Sequence, residues 1–169
     1  LVLPMRHLVG VHAPQHAVDV SGRLGAELTH CRLMRRGSDG TIGGDLAESW
    51  TYGQGKKSLT MDVRLRRGGT FHNGVSIAAK HVVRSLRKYQ TLGRNAWLKE
   101  HVRELAFKEL DPRTVRVTAP TRRGRITATK RIVEELLARP ELSVVHSSRR
   151  RAITTGCGPF KPQVREGAS

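Results

Sequence analysis

Residues 59–66 read Leu-Thr-Met-Asp-Val-Arg-Leu-Arg, so that Leu59, Met61, Val63 and Leu65 alternate with Thr60, Asp62, Arg64 and Arg66. A period of two is that of a half-buried strand, and on a helix it would scatter the apolar side chains around every face. This stretch therefore commits the chain to a sheet and points Arg64 and Arg66 outward together. Gly68 and Gly69 then let the chain turn, and Phe71 with Asn73-Gly74 leads towards the next helix.

The rest of the chain alternates helix and strand signals around that strand. "HLVGVHA" (7–13) reads as a short strand ended by Pro14. Ser21 is placed to cap a helix with Leu24, Leu28 and Cys31 on one face, although Gly22 and Gly25 weaken it. Glycine-dense turns follow at 35–44 and 52–58. "SIAAKHVVRSLRKY" (76–89) places Ala79, Val82, Val83, Leu86 and Tyr89 on one side of a helix with Ser76 as its cap. "TVRVTAP" (114–120) is a second alternating strand. "TATKRIVEELLARP" (127–140) is a helix with Ile132, Val133, Leu136 and Leu137 inward, stopped by Pro140. "LSVV" (142–145) is a buried strand, and nothing in 149–169 closes a domain. Aromatic residues are only 4% of the chain, so Trp50 is expected as a core anchor. The pattern predicts an α+β or α/β body.

Charge excludes less than its size suggests. Thirty-one Lys and Arg against 14 Asp and Glu give a formal net charge of +17, which attracts polyanions whatever the fold. The basic residues are spread from Arg6 to Arg165, lie in turns and on opposite faces, and have no interleaved aromatics for base stacking. A solvated basic surface is the better reading, and no specific nucleic acid is expected.

His12 and His16 are separated by Pro14, which breaks the helix that would align them as metal ligands. "GSDGTIGG" lacks the lysine of a phosphate-binding loop. Asp45, Glu48, Glu134 and Glu135 form no acid/base pair that the sequence defines. No catalytic residue, metal ligand or cofactor is assigned. Cys31 and Cys157 match no zinc spacing, which leaves one long-range disulfide or two free thiols. The first twenty residues lack the uninterrupted apolar core of a signal peptide, and no stretch has the apolar length of a membrane span.

Five segments taken in order resemble one family: "DLAESW" (45–50), "LTMDVRLRRGGTFHNG" (59–74), "SIAAKHVVRSLRKY" (76–89), "LDPRTVRVTAPT" (110–121) and "GCGPFK" (156–161). They look like the peptide, nickel and opine class (family 5) of bacterial extracytoplasmic solute-binding proteins, which feed ABC importers. "HLVGVHAPQHAVD" also resembles that family's first strand, with Asp19 in its Asp place.

The resemblance implies an α+β portion of a two-lobed, periplasmic-binding-protein type II-like fold, a mixed sheet with flanking helices, and no second lobe. Residues 1–34 correspond to the first strand and helix of the ligand-binding lobe. Residues 35–155 correspond to an inserted α+β accessory subdomain, and 156–169 to the start of the return. It implies a monomeric, non-enzymatic protein that holds a peptide or other small solute between two lobes and delivers it to an ABC permease, in the periplasm or at the cell surface. Ser21, Gly22 and Trp97 would face the ligand.

Some positions depart from the family. Ala78, Lys80 and His81 stand where it has Thr, Glu and Asp, which predicts a weakened helix start. His30-Cys31 replaces an aromatic-acid pair, and Cys157 replaces a Thr. A basic nucleic-acid-binding module and a nonfunctional truncated remnant are the alternative readings.

Overall fold

A computed structural model describes residues 14–121, 125–147 and 154–162. The 7–13 strand and His12 lie outside them. A 3₁₀ turn (Pro14–His16) leads into α1 (Val20–Thr29), and β1 (Met34–Arg36) pairs with β2 (Ile42–Gly44) across the glycine-rich turn. β3 (Ala47–Gln54) and β4 (Ser58–Leu65) follow, then α2 (Ala79–Leu92) and α3 (Ala96–Arg103). β5 (Ala106–Asp111), β6 (Thr114–Pro120) and α4 (Ile126–Leu137) precede a second 3₁₀ turn (Pro140–Leu142) and the short pair β7 (His146–Ser147) and β8 (Thr154–Thr155). The α+β expectation holds.

The principal sheet is antiparallel in the order β3-β4-β6-β5. Its register sets Met61 opposite Val117 and Val63 opposite Val115, so the alternating residues of β4 and β6 share one face. α2 covers that face with Ala79, Val82, Val83, Leu86 and Tyr89, and Phe107, Leu98, Val102, Val133, Leu136 and Leu137 complete one contiguous core. On the other face Asp62 stands opposite Arg116, which donates to it through Nε and Nη2, each at 2.6 Å. Arg64 is exposed there as expected, 3.9 Å from Glu48, and Arg66 turns its guanidinium onto the carbonyls of Ala47 and Gly44.

Several helix details differ from the sequence reading. α1 is capped by Asp19, whose Oδ1 accepts the Gly22 N–H at 2.6 Å, and Ser21 lies inside the first turn. Its buried residues are Gly22, Gly25, Ala26 and Thr29, whereas Leu24 is 46% exposed. Close approach of backbones selected the small face over the bulky one. α2 begins after Ala78, which offers no side-chain cap, while Ser76 forms a lone bridge with Thr70. His81 offsets part of that loss, because its Nδ1 accepts the Ala78 N–H at 3.0 Å. Ile132 is 51% exposed, so the inward stripe of α4 is narrower than predicted. Trp50 is only partly buried, packed against the core from its rim.

Residues 142–145 are buried as expected, with Val144 making a single bridge to Cys31. The returning segment, by contrast, does close onto the body. Cys31 and Cys157 form a disulfide with Cα atoms 5.4 Å apart, and the Gly158 N–H donates to Thr29 O at 2.9 Å. Only glycine fits beside this cysteine: a Cβ on Gly156 would collide with the Thr29 carbonyl, and one on Gly158 would lie 2.6 Å from Leu28 O.

Candidate functional site

α3 starts where Asn95 accepts the Leu98 N–H at 3.1 Å, and this cap presents Trp97 on the first turn. Trp97 is 56% exposed in a chain with few aromatics. One turn on, the ring of His101 lies 4.3 Å from that of Trp97 at a tilt of 34°, fixed by a 2.8 Å hydrogen bond that its Nδ1 donates to Trp97 O. The Arg139 guanidinium stands 5.9 Å from the indole centroid, a cation–π arrangement. Arg139 has no carboxylate within ion-pair distance among the described residues.

His101 lines one nearby concavity and Arg139 another, and Trp97 lines neither. A groove of about 410 Å³ between α3 and α4 is lined by His101, Leu105, Ile132 and Leu136. A more polar hollow of about 470 Å³ is lined by Glu27, Arg32, Arg36, Glu135 and Arg139. In the second, Arg32 is paired with Glu27 at 2.7 Å and Arg36 with Glu135, which leaves Arg139 as the cation free to meet a ligand.

Beneath the pair, α1, α2 and the Pro140–Leu142 turn are welded by charge. Glu141 is 1% exposed, and its Oε1 lies 3.0 Å from Arg23 Nε, outside hydrogen-bond angles. Burial, and next the Glu141 charge, hold the Tyr89 phenol well above its ordinary range. The Pro14–His16 turn docks on the same junction, where Arg94 N–H donates to Gln15 O at 3.3 Å.

Of the residues predicted to face a ligand, Trp97 is exposed on the first turn of α3 beside Arg139. Ser21 is exposed on the first turn of α1. Gly22 is buried, with its N–H committed to Asp19. Sequence reasoning did not single out Arg139; its signal was a basic residue between a helix end and Pro140, which only proximity to Trp97 makes distinctive.

Residues 41–166 match the family model described as bacterial extracellular solute-binding proteins, family 5 middle. The chain belongs to this family. Trp97 and Arg139 fall within the stretch matched to family 5, and Ser21 and Gly22 fall before it. No curated protein sequence matches the chain.

Among solved structures, the chain is similar to AgaA of A. tumefaciens R10 in complex with agropinic acid, at 25% identity and TM-score 0.71 over 96% of this chain and 32% of that one. It is also similar to NikA of Brucella suis in complex with Fe(III)-EDTA, at 20% identity and TM-score 0.70 over 90% and 31%. An oligopeptide ABC transporter substrate-binding domain from Bacillus anthracis str. Ames matches at 20% identity and TM-score 0.68 over 90% and 32%. The chain thus spans about a third of the length of these family 5 proteins.

Proposed function

We propose that this chain forms one wall of a solute-binding cleft in a non-enzymatic family 5 protein that hands its solute to an ABC permease. The solute is a peptide or a related small molecule bearing a carboxylate. Trp97 supplies an apolar platform and Arg139 pairs with the carboxylate; Ser21, on the first turn of α1, adds a hydroxyl.

The observation that carries this reading is the exposed Trp97 indole beside a guanidinium with no carboxylate partner. An exposed aromatic beside a cation with no carboxylate partner offers an apolar face and a charge together, and enclosure of a ligand that matches both supplies the free energy of binding. The Cys31–Cys157 disulfide supports a periplasmic or cell-surface location, where thiols are oxidised. The chain acts as a monomer. A specific nucleic-acid role finds less support, because Arg32, Arg35, Arg36, Arg64, Arg113 and Arg116 are each paired with a carboxylate.

Fluorescence titration tests the reading in a Trp50→Phe background, where Trp97 is the only indole. Short peptides with a free C-terminus should shift and quench the emission, C-terminally amidated peptides should bind about tenfold more weakly, and Arg139→Ala should erase that difference. Equal binding of both peptide forms, or an unchanged preference in Arg139→Ala, would contradict it.

A further inference from the structure

Three rings meet where the chain, returning from α4, crosses the start of α2. Phe71 and His81 have centroids 5.4 Å apart, Phe71 and His146 5.3 Å, and His81 and His146 5.5 Å. Phe71 is buried and both imidazoles pack on it. Each imidazole uses its Nδ1 lone pair as an acceptor. That of His81 takes the Ala78 N–H at 3.0 Å, and that of His146 takes the Asn73 side-chain amide at 3.1 Å. An amide nitrogen only donates, so neither Nδ1 can carry a proton while these bonds exist. The same seam is held by Ser85, whose Oγ accepts the Val145 N–H at 3.0 Å.

We propose that His81 and His146 form an acid-opened joint between the start of α2 and β7. In its neutral form His146 holds β7 to the Phe71–Gly74 turn through Asn73, while neutral His81 holds the helix start and packs its ring on His146. Protonation of either ring removes its acceptor, and protonation of both sets two like charges 5.5 Å apart.

Around His81 the charges that act are His146 from β7 and Lys80 and Arg84 from α2 itself, all of one sign. Burial foremost, and these neighbours after it, hold His81 below its ordinary value of 6.5. The native state therefore binds fewer protons than the unfolded chain just below that value. Stability is full above pH 6.5 and falls as the pH drops from there through the folded-state value. Opening stays local, because the disulfide at Cys157 and the 2.8 Å contact of His72 Nε2 with Gly158 O tether the segment that follows β8. No reading of the solute enters this inference.

Histidine ring resonances followed by NMR across about pH 5.5 to 7.5 test the joint on the full chain. His81 is expected to titrate below its ordinary value, and His146→Phe, which keeps a ring but removes the charge, should raise its midpoint. Urea midpoints over the same window should fall with acid in the parent chain. The fall should be much smaller in the double variant His81→Gln, His146→Phe, where Gln preserves an acceptor for the Ala78 N–H. His16, which burial together with Arg94 and Lys88 also holds below its ordinary value, is replaced by Gln in both chains. The carboxylates of Asp39, Asp62 and Asp111, held below 3.8, lie outside the window. A His81 midpoint at or above 6.5, or an equal acid loss in the double variant, would overturn the proposal.

Discussion

Arg23 and Glu141 show how single side chains fix the ground under the candidate site. Glu141 is almost wholly buried, and Arg23 is the cation that meets it. Arg23→Met is expected to cost about 1–3 kcal/mol, at the low end for breaking a buried pair because Arg23 is itself partly exposed. Urea denaturation reads that loss, and an unchanged midpoint would show that the pair contributes nothing. At this scale the sequence was only partly legible. Trp97 stood out because aromatics are scarce, but Arg139 was one basic residue among 31 Lys and Arg until the fold set it over the indole. The constraint on Gly156 and Gly158, contact with the end of α1, involves residues more than a hundred positions away.

Whole elements were legible wherever period and burial agreed. The buried face of β4 was recoverable, although the strand runs Ser58–Leu65 where 59–66 was read, because a two-residue period leaves no other face to bury, and β6 followed for the same reason. Helix phase was harder. Counting large apolar residues on α1 favoured Leu24, yet the face that α1 buries carries Gly22, Gly25, Ala26 and Thr29. On α4 the stripe from Ile132 to Leu137 is wider than the sheet edge that receives it, so Ile132 ends on the groove.

The start of α2 is where an element can be improved. Ala78 has no side-chain acceptor; the His81 ring takes the Ala78 N–H and the Pro112 carbonyl takes the Ala79 N–H. Ala78→Ser is expected to raise stability by about 1 kcal/mol through a hydroxyl that accepts an N–H of that turn. A rise in Tm of several degrees would accompany it, and a neutral or lowered Tm would mean that the backbone at 78 cannot present the cap.

Across the whole molecule, the net charge of +17 is less a function than a background. Cross-strand and inter-element pairs such as Asp62–Arg116 and Arg113–Glu48 place the available carboxylates where arginines converge. The disulfide closes a span of 126 residues, from the end of α1 to the returning segment, and so joins the two ends of the described chain into one body. Replacing Cys31 and Cys157 together by Ala should cost about 2–5 kcal/mol, a loss that reductant should reproduce in the parent chain and not in the variant.

The central claim is that Trp97 and Arg139 form a wall that receives a carboxylate-bearing solute, and NMR of the two indole N–H resonances tests it most directly. On addition of a tripeptide with a free C-terminus, the Trp97 indole and the Arg139 side chain should shift together and saturably, while the partly buried Trp50 indole stays in place. Shifts that spare Trp97, or that spread over the arginines of the open sheet face and vanish with added salt, would contradict it.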